Sequence, residues 1–254
     1  MKWKTEYERK RTSAAEAMKC VKSGDRVVFA HACGEPLDLV DALVARAGEL
    51  EDVEINHMVA MGKGKYCQPE LAASFFHKSL FVGASSRGAV KEGRGDYIPV
   101  FFSEIPRLFC EGYLPPDVVL IHVSPPDKHG FCSFGISVDY TKPAAQVAKI
   151  VVAQVNPKMP RTHGDAFIHV SQIDHLVESD QDIIELQPPK IGRVEEAIGK
   201  HIAGLVEDGS CLQLGIGGIP DAVLLFLHEK NDLGIHSEMF SEGVVDLYLS
   251  LIHI

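Results

Sequence analysis

The stretch VKSGDRVVFAHACGEPLDLVDAL, Val21 to Leu43, reads as a helix end, a turn of glycine and polar residues, an apolar strand, a small-residue loop, a proline and an apolar helix. The same succession returns in VEDGSCLQLGIGGIPDAVLLFL, Val206 to Leu227. Gly24 matches Gly209 and, after a slip of one residue, Pro36 matches Pro220. The strands that follow also match, DVEINHM from Asp52 against DLGIHSE from Asp232. We read an internal duplication with a period of about 180 residues, the first copy complete and the second barely begun. The join falls near ELQPPKIGRVEEA, where Pro188 and Pro189 break the pattern before a new helix. This divides the chain into 1–187 and 188–248.

Outward from this unit the pattern alternates. SAAEAMKCVK reads as helix, PLDLVDALVARAGEL as helix and VEINHMVAM as strand. DVVLIHV and KIVVAQV are continuous apolar runs, as expected for strands of a sheet covered on both faces. The expectation is an α/β fold with a largely parallel sheet. Between Lys63 and Pro116 the pattern loosens. GASSRGAVKEGRGDYIP suggests long loops near a working edge, with the RGD at 94–96 read as a solvated loop.

Composition narrows the function classes. With 46% apolar and 24% charged residues, the 254-residue chain has the makeup of an ordinary globular protein. A formal net charge of −10 argues against nucleic acid or an anionic membrane surface as partner. The charged start has no apolar core of a secretory signal, and no run is long enough to span a bilayer. Six dispersed cysteines without a C-x-x-C suggest free thiols in a reducing compartment, hence a cytoplasmic protein. The twelve histidines lack tight ligand spacing, so no metal site is expected.

The candidate chemistry sits in the second copy. In QLGIGGIPDA, Gly215, Gly217 and Gly218 would let backbone approach a ligand ahead of a helix N-terminus. Taken alone, the loop is equally a tight βα turn, and Pro220 stands where a dinucleotide fingerprint needs glycine. Gln213, placed inside the preceding strand, either props up backbone or points into a site. In GIHSEMFSEG, Glu238 is a carboxylate at a strand end, where open α/β sheets bind ligands. Burying it would cost several kcal/mol unless it were paired or used, and a structural salt bridge is the alternative. Glu242 reads as a solvated loop charge. In the first copy Met58 stands at the position of Glu238, and His31 opens the small-residue loop of AHACGEP. A satisfied structural histidine is the ordinary reading there, and no His/Asp order makes Cys33 a nucleophile. SPPDKHGFCSFG, Ser124 to Gly135, is a shaped loop at a strand's carboxyl end.

These residues together resemble the acetyl-CoA hydrolase/transferase family, most closely its 4-hydroxybutyrate and butyryl-CoA:acetate CoA-transferase branch. The carrying motifs are SPPDKHGFCSFGISVD, VAQVNPKMPRTHGD, LQLGIGGIPDAV and GIHSEMFSEGVVDL. The resemblance implies a CoA-transferase-like fold of two similar open α/β halves, here with the second truncated. It places the catalytic glutamate at Glu238, with His31 and Gln213 beside the reacting acyl group. It implies coenzyme A as substrate, no permanently bound cofactor, no metal, short-chain carboxylates as partners and a homo-oligomeric parent. A thioester hydrolase, a CoA-binding module without chemistry and an inactive fragment are the competing readings. The ending Leu249–Ile254 departs from the family. It matches the translated end of a sequencing-library transposon, so an adapter-derived origin is expected for it.

Overall fold

The computed structural model describes residues 2–250. The chain divides into two compact units, one ending at Glu185 and the other starting at Leu186. In the first, the strands are β1 (Arg26–Phe29), β2 (Val53–His57), β3 (Phe75–Ser79), β4 (Gly95–Tyr97), β5 (Val118–Val123), β6 (Phe131–Ser133), β7 (Ile150–Val155), β8 (Phe167–His169) and β9 (His175–Glu178). Its helices are α1 (Lys2–Lys10), α2 (Ala14–Ala17), α3 (Leu37–Val44), α4 (Arg87–Lys91), α5 (Ile105–Cys110) and α6 (Thr141–Val147). Seven strands form one all-parallel sheet in the order β4-β3-β2-β1-β5-β7-β9. β6 and β8 form a separate antiparallel pair.

The apolar runs explain why this sheet is covered on both faces. Along β5 every residue is buried. Val119, Ile121 and Val123 face a core shared with Ile105 and Phe109 of α5 and Ala144 of α6. Val118 and Leu120 face the opposite core, shared with Leu39, Val40 and Leu43 of α3. Successive residues thus feed opposite faces, and each fully buried Val or Leu contributes roughly 1.5–3 kcal/mol. In α3 the buried Leu39, Val40 and Leu43 make one stripe, and Pro36 caps the helix where its missing N–H is not needed.

The chain runs outward from β1 through β2, β3 and β4 on one side, and through β5, β7 and β9 on the other. The order reverses between β1 and β5, and the crevice at the carboxyl ends of such strands is where open α/β sheets take ligands. The region expected to be long loops contains β3, α4 and β4. The RGD segment is therefore corrected: Gly95 and Asp96 belong to β4, in register with His77 and Lys78, and Lys78 pairs with Asp96 at 3.5 Å. Glycine is required there, because a Cβ on Gly95 would lie 2.7 Å from the His77 carbonyl oxygen.

The second unit holds α7 (Arg193–Ala203), β10 (Cys211–Leu212), α8 (Gly218–Leu225), β11 (Gly234–Ile235) and α9 (Glu242–Leu249). β10 and β11 pair in parallel. Its small core joins Ala203, Val223, Leu224, Leu227, Val244 and Leu247. Gly234 and Ile235 are exposed. Leu249 closes α9 and Ser250 caps it, while residues 251–254 of the unusual ending lie outside the described residues.

The duplication is visible in the backbone. Gly24 and Gly209 take positive φ values of 80° and 77°, and Asp52 and Asp232 take 53° and 56°. Gly24 N–H donates to the Glu51 carbonyl at 3.0 Å, and Gly209 N–H to that of Asn231 at 2.9 Å. Four residues that need left-handed backbone, two of them carrying a side chain, fall at matched positions.

Candidate active site

In the first unit, the loop after β1 lies at the reversal point of the sheet. Ala32 takes a positive φ of 51° and bridges to Ala60 beyond β2, which holds the loop 31–35 over the strand ends. His31 is 7% exposed. Its Nδ1 lies 3.1 Å from Asp139 Oδ2, and its backbone N–H donates to Ser137 Oγ at 3.1 Å. The ring packs against Tyr140 and Phe102, each with centroids 5.6 Å away. Its Nε2 is buried and has no hydrogen-bond partner.

Glu35 closes the same loop. It is 2% exposed, and its Oε2 accepts the Gly62 N–H at 2.8 Å. Burial pushes its carboxyl up to about 7, the Gly62 hydrogen bond opposing and Asp41 adding to the rise. Three further histidines are buried in the sheet. Burial holds His77 and His122 down to about 4, and drives His57 well below the imidazole range. His57 Nδ1 meets Tyr66 Oη at 2.8 Å. Desolvation by burial is the largest cause of each of these shifts.

A cleft of about 450 Å³ opens at the carboxyl ends of β5, β7 and β9, between Pro125, Pro157 and Glu178. His31 does not line it. In the shaped loop that follows β5, Ser124 and Ser133 bond reciprocally, and Asp127 takes the N–H groups of His129 and Phe131 and the guanidinium of Arg161.

In the second unit, Gln213 and Glu238 both follow the strands that carry them, beyond β10 and β11. The ladder continues past the strands: His236 N–H donates to Leu212 O at 3.0 Å, and Ser237 Oγ both donates to Leu214 O at 2.8 Å and accepts from Leu214 N–H at 3.1 Å. That clasp brings the chain at Glu238 to the same end of the pair as Gln213 and the loop of Gly215, Gly217 and Gly218. Gly217 has φ 122° and caps α8, whose first turn holds Gly218 and Pro220. Gln213 and Glu238 are both exposed, and among the described residues no ion pair involves Glu238.

The family description "Acetyl-CoA hydrolase/transferase N-terminal domain" matches residues 1–188. The chain belongs to the acetyl-CoA hydrolase/transferase family. It is 58% identical over 247 residues to the 4-hydroxybutyrate coenzyme A transferase of Clostridium kluyveri, covering 97% of this chain and 58% of that relative. It is 47% identical to the succinyl-CoA:cyclohexane-1-carboxylate CoA transferase of Geobacter metallireducens, covering 98% and 56%. Among solved structures, RipA from Yersinia pestis matches with a TM-score of 0.95 at 32% identity, covering all of this chain and 61% of that one. The chain therefore spans just over half the length of the relatives it matches.

Within this acetyl-CoA hydrolase/transferase chain, three residues escaped the sequence reading: Asp139, Ser137 and Glu35. Asp139 and Ser137 sit inside a motif that carries the family likeness, but nothing local says that they meet a histidine 108 and 106 residues away. Glu35 had a usable signal, a lone acid in an otherwise small and apolar loop.

Proposed function

We propose that the chain carries the nucleophile and acyl-group contacts of a CoA-transferase that moves CoA between a short-chain acyl-CoA, of butyryl or 4-hydroxybutyryl type, and a carboxylate such as acetate. The observation that carries this reading is Glu238, an exposed carboxylate at the carboxyl end of a parallel strand pair, beside the loop of Gly215, Gly217 and Gly218. The 58% identity to a 4-hydroxybutyrate coenzyme A transferase supports the reaction class.

In this reading a Glu238 oxygen attacks the thioester carbonyl. The C–S bond breaks, CoA leaves as thiolate and an acyl-glutamyl anhydride remains. The thiolate then attacks the glutamyl carbonyl, releasing the donor carboxylate and leaving a glutamyl-CoA thioester. The acceptor carboxylate reverses the two steps, so the kinetics are ping-pong. Gln213 or the N–H groups of residues 215–218 would hold the developing oxyanion, a contribution of about 3 kcal/mol for one donor. His31 would contact the acyl group. Coenzyme A enters as substrate, and no bound cofactor or metal has a part in these steps. The dispersed thiols and the lack, among the described residues, of a helix long and apolar enough to cross a membrane support a cytoplasmic setting. A homo-oligomer is the expected assembly of the parent enzyme.

Trapping decides the matter. Acyl-CoA with hydroxylamine or borohydride should mark Glu238, and Glu238→Ala should abolish both label and transfer with the fold intact. A label on Cys33 or Glu242 would overturn the assignment. Release of free CoA by water at the rate of transfer would make the enzyme a hydrolase.

A further inference from the structure

His31 Nδ1 faces a carboxylate oxygen, Asp139 Oδ2, at 3.1 Å. An ionised carboxylate only accepts hydrogen bonds, so the proton of this contact belongs to Nδ1. The carboxylate is itself immobilised. Asp139 Oδ1 accepts from Thr141 N–H at 3.2 Å and from Thr141 Oγ1 at 3.3 Å, and Oδ2 accepts from Ser137 Oγ at 3.2 Å. Ser137 Oγ in turn accepts the His31 N–H at 3.1 Å. The two loops are in close contact, since a Cβ on Gly34 would lie 2.6 Å from Ser137 Cβ. Phe102 and Tyr140 fix the plane of the ring.

We propose that Asp139 is a positioning residue that locks His31 as its Nδ1–H tautomer, leaving the buried Nε2 as a hydrogen-bond acceptor for the ligand. What Nε2 does rests on the reading of His31 as a site residue; the tautomer does not. Leaving a buried acceptor without a partner is costly, and Nε2 is in that state. A ligand that brings an O–H or N–H to it relieves the cost. The site thereby discriminates by hydrogen-bond polarity, through a residue that need not touch the ligand.

Asp139→Asn tests this, because the surroundings dictate how the new amide sits. Thr141 N–H can only donate, so the amide oxygen takes the place of Oδ1 and the NH₂ group faces His31 Nδ1. The imidazole proton then moves to Nε2, the same logic that makes an Asp-to-Asn change in a Ser-His-Asp triad produce the wrong tautomer. The experiment is a long-range ¹H–¹⁵N correlation spectrum of the 254-residue chain with labelled histidines. It is recorded at about pH 8, above the ordinary imidazole range near 6.5. His31 is assigned through the backbone and confirmed by loss of its signals in His31→Gln. The expected result is an Nδ1–H pattern in the wild type, unchanged in Thr141→Val, and an Nε2–H pattern in Asp139→Asn. An Nε2–H or doubly protonated His31 in the wild type overturns the proposal whether or not any variant folds. An Nδ1–H pattern that persists in folded Asp139→Asn overturns the role of Asp139. No substrate is present, so failure here is separate from failure of Glu238 to trap.

Discussion

The Glu35 carboxylate accepts the Gly62 N–H at 2.8 Å, joining the loop after β1 to the loop after β2. Its carboxyl is 2% exposed and is pushed up to about 7 from an ordinary 4.5 by burial. The folded state therefore holds this proton more tightly than the unfolded chain. The stabilisation is complete below about pH 4.5 and is lost as the pH rises toward 7, a change on the order of 3 kcal/mol. Urea unfolding of Glu35→Gln across this range should lack that decline. A variant whose stability falls with pH as steeply as the wild type would show that Glu35 is not the group responsible.

The buried histidines work in the opposite direction. His77 and His122 are held down to about 4 by burial, so the unfolded chain binds protons that the folded one refuses. Their contribution is present above about pH 6.5 and is lost as the pH falls toward 4. The two trends overlap in the wild type. In the Glu35→Gln background the acid limb should stand alone and be steeper, and replacing His122 by Asn should flatten it. Equal acid slopes in the two backgrounds would refute this.

Gln213 and the glycine loop should separate in kinetics. Gln213→Ala in the assembled enzyme should slow acyl transfer by about 10²-fold with little change in CoA affinity, as for a single oxyanion donor. Gly217, at φ 122°, cannot accept a side chain without strain, so Gly217→Ala should instead weaken CoA binding by displacing the start of α8. Measuring kcat and KM for both variants, alongside thermal unfolding, distinguishes the two. Wild-type turnover for Gln213→Ala would leave that amide without a catalytic part.

Residues 185–190 are exposed and carry no regular structure before α7 begins at Arg193. Limited proteolysis should cut the chain there and leave a resistant core ending near Gln187. Mass spectrometry of the surviving fragment gives the answer, and a first cut inside β1–β9 would contradict it.

Particular residues show why some of this was legible in sequence and some was not. β5 and β7 are runs of Val, Ile, Leu and Ala interrupted by His122 and Gln154, and their burial on both faces is written into that composition. β3, FFHKS, hides its strand character behind His77 and Lys78; only its neighbours reveal that the histidine is buried. β4 is a three-residue edge strand built on Gly-Asp, a dipeptide that local propensity assigns to a turn. That Glu238 and the glycine loop lie at one end of the β10–β11 pair was readable because position after a strand carries meaning in a parallel sheet. The Asp139–His31 contact was not, since it depends on which loops the strand order brings together.

That strand order also sets a timetable. Val27 of β1 pairs on one side with Ile55 and on the other with Val118, 91 residues later in the chain (118 − 27). During synthesis the central strand forms its first partnership early and then waits for the second. Val118 follows Ile55 by 63 residues (118 − 55), so at roughly 5–20 residues per second the wait is about 3–13 seconds. Throughout it, one side of β1 offers unpaired backbone and the alternating side chains of Val27, Val28 and Phe29 to any passing strand. The vulnerable moment for this protein is while the ribosome is still between β2 and β5, and a pause there would lengthen it.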